Sequence, residues 1–139
     1  MTEFTFEQLS LGQAAQFTRT FSDAEILAFA GLSGDQNPLH VDEAYARAAG
    51  FAGKVAHGLL SGALYSALVG MHLPGRRALL RGIQIDFHAP VFAGVPLTVS
   101  GQIAELHAEF RLITLKAEIR DADGKRLSKA KIQVGLRED

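Results

Sequence analysis

The sequence predicts an α+β domain, with one buried helix serving as the core of a curved antiparallel sheet. Three observations carry this. Residues 58–71 contain no charged side chain and are apolar nearly all round, as a fully packed helix requires. From Ile83 onward, apolar and polar residues alternate with the period of strands. Helical signals precede most strand signals instead of interleaving with them, which separates this class from the parallel α/β folds.

Taken in order, residues 14–20 read as a first strand. Phe21-Ser22-Asp23-Ala24-Glu25-Ile26 then carries a complete helix start. Ser22 is placed to accept from the amide three residues on, Glu25 to reach back to the Ser22 amide, and Phe21 and Ile26 to form a hydrophobic staple. Gly34 is the expected stop. Asp42 begins a second short helix running to about Ala49, with Gly50 behind it. The apolar helix follows, ended by Pro74 and Gly75. Gly58, Gly62, Ser66 and Gly70 recur every four residues and form a small-residue stripe along it. On such a stripe glycine means either tight packing against the sheet, the reading preferred for Gly70, or room for a ligand. Ile83, Ile85 and Phe87, then Leu97 and Val99, then Ile113, Leu115, Ala117 and Ile119, mark successive strands, expected to run as a meander. Asp123-Gly124 marks a hairpin turn, and Ala130, Ile132 and Val134 mark the last strand.

The chain has 139 residues, 47% hydrophobic and 21% charged. That suits one domain spanning 1–139. A net charge of −1 without a Lys/Arg-dense block argues against nucleic acid or an anionic membrane as partner. The chain has no cysteine, which excludes disulfides, thiol catalysis and thiolate metal sites. The acidic start, Met1 to Ser10, lacks the pattern of a signal peptide, so the expected compartment is the cytoplasm. The uncharged run Val55–Pro74 is broken by His57, Gly58, Ser61 and Ser66 and reads as a buried helix, not a membrane span. The five histidines stand at 40, 57, 72, 88 and 107, and no pair is three to five apart. Metal-ligand spacing is therefore absent.

The chemistry concentrates in Gly34-Asp35-Gln36-Asn37-Pro38-Leu39-His40. On a continuous helix Asp35 and His40 would lie about 140° apart around the axis. Pro38 speaks against continuity, and a bent loop can turn both side chains to one point. A carboxylate and an imidazole aimed at one small volume can hold a water, one taking a proton and the other giving one. Asn37 can tie the loop backbone with its amide. The plain alternative is a polar turn before a helix, with His40 as a surface group. Spacing alone leaves both open. His57 admits two roles as well: a contact to ligand, or a structural hydrogen bond to this loop.

The run Phe29-Ala30-Gly31-Leu32-Ser33-Gly34-Asp35-Gln36-Asn37-Pro38-Leu39-His40, with Ala46 beyond it, resembles the signature of the MaoC-like (R)-specific enoyl-CoA hydratases. Val55-Ala56-His57-Gly58 and Phe87-His88-Ala89-Pro90-Val91-Phe92-Ala93-Gly94 are similar to the same family, and Val95 departs from it. The resemblance spans about residues 8 to 135. It implies a hot-dog fold, a sheet wrapped around the helix at 58–71, and a homodimer joined edge to edge. It implies reversible hydration of a trans-2-enoyl-CoA to the (3R)-3-hydroxyacyl-CoA, with no cofactor beyond the CoA of the substrate and no metal. By that likeness Asp35 and His40 are the catalytic pair, Gly58 offers its amide to the thioester oxygen, and Asn37 and Ser66 support them. An amide opening a helix suits a developing oxyanion.

Lys54, Arg47, Arg76, Arg77 and Arg81 are candidate contacts for CoA phosphates, with solvated charge the plainer reading of each. Leu64, Tyr65, Leu68, Val69 and Met71 are candidates to close the acyl pocket. Three other functions stand beside it, the first with the same site and only carrier and direction changed, the other two less well matched to the pattern. They are a dehydratase acting on acyl carrier protein or a specialised CoA ester, a hot-dog thioesterase, and a non-catalytic subunit, which would not need both Asp35 and His40.

Overall fold

Ser22 stands at the N-cap of helix α1 (Asp23–Ser33) in the computed structural model of the chain, which describes residues 1–138. Its hydroxyl accepts from the Glu25 amide at 3.1 Å, and the Glu25 carboxylate accepts from the Ser22 amide at 3.0 Å. The Ser22 amide holds the Glu25 carboxyl below its usual range. Phe21 and Ile26 are both buried beneath the cap, as the staple requires. A serine cap of this kind contributes about 1 kcal/mol. Gly34 closes α1 at φ 82°, a left-handed conformation that glycine adopts without steric cost.

Two short helices follow, α2 (Pro38–Val41) and α3 (Glu43–Ala48). Asp42 caps α3 through the Tyr45 amide at 3.0 Å. Helix α4 (Gly58–Ala67) widens into a π turn over Leu68–His72. The five strands are β1 (Ala14–Thr20), β2 (Ala78–Phe87), β3 (Pro96–His107), β4 (Leu112–Arg120) and β5 (Arg126–Leu136). All neighbours pair antiparallel in the order β1-β3-β4-β5-β2. The meander expected from the sequence therefore holds only for β3, β4 and β5. β2 crosses to the far side of the sheet and pairs with β5, because the helical half of the chain must lie between the two edges. The result is the α+β hot-dog arrangement, with α4 against the concave face.

One row across the sheet lets α4 sit close. Ala15, Gly101, Ala117 and Ala130 are successive register partners. A Cβ at 101 would lie 2.8 Å from Leu68 Cδ2, so the leucine occupies the space the glycine leaves. Tyr65 is buried and shares a hydrogen bond with Ser128 of β5 at 2.7 Å. Burial pushes its phenol up to about 12. Ile26, Leu97, Val99, Ile103, Leu115, Ile119, Ile132 and Val134 complete the core.

The helix is more one-sided than its composition predicts. Ser61, Leu64, Tyr65, Leu68 and Val69 are buried, while Leu59, Ser66 and Met71 are exposed. Its outward flank thus faces away from the core of the single chain. Among the described residues no helix is long and apolar enough to cross a membrane.

Candidate active site

Side-chain bonds to the backbone shape the segment after Gly34. Ser33 Oγ donates to the Phe29 carbonyl at 2.7 Å and accepts from the Asp35 amide at 3.1 Å. Asp35 Oδ1 accepts from the Asn37 amide at 3.2 Å, and Asn37 Oδ1 accepts from the Leu39 amide at 3.0 Å. Asn37 is thus the N-cap of α2 and Pro38 its first residue. The helix is interrupted, as Pro38 suggested, but Pro38 opens a short helix where the sequence reading expected a bent loop. Proline at the first helical position loses no intrahelical bond, and its fixed φ suits the turn. The break in the chain lies at 34–37, and α2 turns His40 back toward Asp35.

The segment before α4 secures the other side. Val55 donates its amide to the Leu39 carbonyl at 2.9 Å, and Ala56 donates to Val91 at 2.8 Å. His40 Nδ1 lies 2.6 Å from the Val55 carbonyl. A carbonyl only accepts, so Nδ1 donates in this bond and Nε2 is the nitrogen turned toward Asp35. That Nε2 lies 3.6 Å from Asp35 Oδ2. The gap is too long for a direct hydrogen bond and short enough for a water at about 2.8 Å from both atoms. His40 is largely enclosed, whereas the Asp35 side chain is 51% exposed, so the pair opens to solvent on the Asp35 side.

His57 makes the structural bond to the loop: its Nε2 donates to the Asp35 carbonyl at 3.0 Å. Its ring stacks on that of His40, with centroids 3.8 Å apart and planes at 24°. It is also the N-cap of α4, so Gly58, the next residue, has a first-turn amide without an intrahelical acceptor. A Cβ at 58 would lie 3.1 Å from the Phe87 ring, and one at 62 would lie 3.0 Å from Ile85 Cδ1. Both glycines thus sit in close contact with side chains of β2, which would have to shift by a few tenths of an ångström to admit a Cβ. Nothing lies within 4 Å of the Cβ position at 70, so Gly70 has no such packing reason.

Asp35, His40 and Asn37 are therefore brought together, with Gly58 one residue beyond the histidine that links them. Ser66 is two turns further along α4 and exposed, with no side-chain hydrogen bond among the described residues. Ser61, in the first turn of α4, donates its hydroxyl to the Gly58 carbonyl at 2.8 Å. Asp35, His40 and His57 each offer a donor atom within 4.8 Å of the others, a trio that spacing did not reveal. Two of these nitrogens already have partners: His40 Nδ1 at the Val55 carbonyl and His57 Nε2 at the Asp35 carbonyl. A groove of about 890 Å³ lies over Lys116, Lys129 and Lys131 and contains none of these residues.

With this geometry established, likeness to known proteins can be added. Residues 7–122 match the family model described as MaoC like domain. The chain belongs to the MaoC-like domain family. This MaoC-like chain is 37% identical over 113 residues to an (R)-specific enoyl-CoA hydratase of Aeromonas caviae, covering 81% of this chain and 84% of that one. It is 39% identical over 111 residues to an (R)-specific enoyl-CoA hydratase of Rhodospirillum rubrum, covering 80% and 77%. The solved R-hydratase PhaJ1 from Pseudomonas aeruginosa superposes with a TM-score of 0.91 at 31% identity, covering 99% and 88%.

Within the MaoC-like frame several side groups are already engaged. Lys54 pairs with Asp23 at 2.6 Å, Arg47 with Glu43 at 2.9 Å and Arg77 with Glu3 at 3.2 Å. Arg76 and Arg81 are exposed. His107 pairs with Glu105, and His72 stacks on Phe17 at 4.9 Å, so neither is merely solvated. Leu64, Tyr65, Leu68 and Val69 face the core, which leaves Met71 as the one exposed member of the pocket set. Sequence reasoning missed Phe87 against the start of α4. It lies 29 residues from Gly58, and neither its place in the alternating pattern of β2 nor the family-like stretch it opens points to the helix start.

Proposed function

We propose that the chain is an (R)-specific enoyl-CoA hydratase that reversibly converts trans-2-enoyl-CoA to (3R)-3-hydroxyacyl-CoA in the cytoplasm, as one catalytic domain over 1–139. The observation that carries this reading is the Asp35–His40 pair, held 3.6 Å apart with His40 Nδ1 tied to the Val55 carbonyl so that Nε2 faces the carboxylate. One member of the pair takes a proton from the water, whose oxygen bonds to C3. The other gives a proton to C2. The C2=C3 double bond is consumed, and negative charge passes through the thioester oxygen on the way. The Gly58 amide at the start of α4 is assigned to that oxygen, where an unpaired N–H at the positive end of a helix opposes the charge. Asn37 supports the pair by capping α2, and Ser66 borders the acyl chain on the exposed flank of α4. Hydration transfers no electrons, so this scheme needs only the acid, the base and the CoA ester, without metal or cofactor.

The test is hydration of crotonyl-CoA and longer trans-2-enoyl-CoA esters, followed by loss of enoyl-thioester absorbance, with chiral analysis of the product. Turnover to the 3R alcohol is expected. Activity only on acyl-carrier-protein esters would move the reading to a carrier-protein dehydratase, and release of free thiol to a thioesterase.

The working unit we assign is a homodimer. Support comes from β2, a sheet edge on which Leu79, Leu80, Ile83 and Phe87 are 40–50% exposed. An apolar edge strand left bare is a liability, and pairing with a second copy covers it. Light scattering should give twice the chain mass, and a monomeric mass at micromolar concentration would refute the assignment.

A further inference from the structure

We infer that His57 is a positioning residue for the hydration assigned above, holding both the Asp35 peptide and the His40 ring in place. The inference rests on that functional reading, but its geometry stands apart from it. His57 is 3% exposed. It touches the Asp35 carbonyl through Nε2 at 3.0 Å and the His40 ring face at 3.8 Å. Phe29 of α1 meets its ring edgewise at 4.9 Å and closes it off from behind. Its own carbonyl accepts from the amides of Leu60 and Ser61 at 3.0 and 3.2 Å and so begins α4. One side chain therefore links the residue of each reacting group to the helix start.

Each contact removes a freedom that the pair does not control itself. The Asp35 side chain is half exposed and, among the described residues, hydrogen-bonded only to the Asn37 amide, so its direction is inherited from its backbone. The Ser33 hydroxyl holds the amide of Asp35, and His57 holds the carbonyl. His40 is anchored in the plane of its ring by the bond from Nδ1 to Val55. That bond leaves the ring able to tilt about its own axis, and the stacked face of His57 opposes the tilt. The direction of Nε2 toward Asp35 depends on both.

His57 Nδ1 is buried and has no hydrogen-bond partner among the described residues. A buried ring nitrogen left unpaired is destabilising. An apolar ring would fill the same space without that cost, so packing alone does not account for a histidine here. Donation to the Asp35 carbonyl does.

Three variants separate the contacts. His57→Phe keeps a ring against His40 and loses the donor. His57→Gln keeps a donor and loses the ring face. His57→Ala loses both. In folded protein, kcat for crotonyl-CoA is expected to fall about 10-fold in each of the first two and about 100-fold in the third, the scale set by small misplacements of reacting groups. KM should stay within about twofold, because no substrate contact is removed. The second measurement is NMR of the His40 ring protons in the protein without substrate. Their ring-current shifts should persist in His57→Phe and collapse in His57→Gln and His57→Ala. Unmoved His40 resonances in His57→Gln, or wild-type kcat in folded His57→Ala, would overturn the inference. A wild-type chain that hydrates no enoyl thioester would overturn the functional reading instead, and the NMR shifts would still decide the positioning.

Discussion

Asp35→Asn is expected to reduce hydration of crotonyl-CoA by about 10²–10⁴-fold, the usual contribution of one general acid–base group. The change keeps the shape of the side chain. Its Oδ1 still accepts from the Asn37 amide, so the turn into α2 survives. What is lost is the carboxylate oxygen 3.6 Å from His40 Nε2. An amide nitrogen there donates where the carboxylate accepts, and neither takes up nor releases a proton near neutral pH. Steady-state rates, with circular dichroism and a thermal melt on the same sample, check the outcome. Near-normal turnover by a folded variant would remove Asp35 from the reaction.

His40→Gln is expected to cost a similar factor for the complementary reason. Glutamine can still donate to the Val55 carbonyl, which keeps α2 laced to the segment before α4. It has no second ring nitrogen to exchange a proton with the water held near Asp35. In the proposed mechanism both residues act on one water, so their effects should not multiply. The Asp35→Asn, His40→Gln double variant is expected to lie within about tenfold of the slower single variant, since residues acting as a unit are grossly non-additive. A double variant reduced by the full product of the two factors would mean that they act independently.

Local signals in the sequence were read with little error. The Ser22–Glu25 cap, the stop at Gly34, the start at Asp42 and all five strands are set by interactions within a few residues, or by a period that needs no partner to be recognised. Pro38 was misread because proline was weighed as a helix interior residue when it stands at a helix start. The order of the strands was beyond local reasoning. Alternation in β2 reports one buried face and is silent on whether the neighbour is β3 or β5.

In the site, residue identity was legible and arrangement was not. Asp35, Asn37 and His40 lie within six positions, where turn chemistry and a family signature both speak. His57 stands seventeen positions from His40 and Phe87 twenty-nine from Gly58, and no periodicity relates them. Only the fold shows that the two imidazoles stack and that a ring from β2 rests on the first residue of α4. By itself the sequence determined most of the elements and the chemical groups available, because those follow from short-range hydrogen bonds and side-chain patterning. The tertiary structure alone decided which nitrogen of His40 faces Asp35 and what holds each of them there. Those follow from the Val55 carbonyl and the His57 ring, contacts that exist only once distant segments of the chain are packed together.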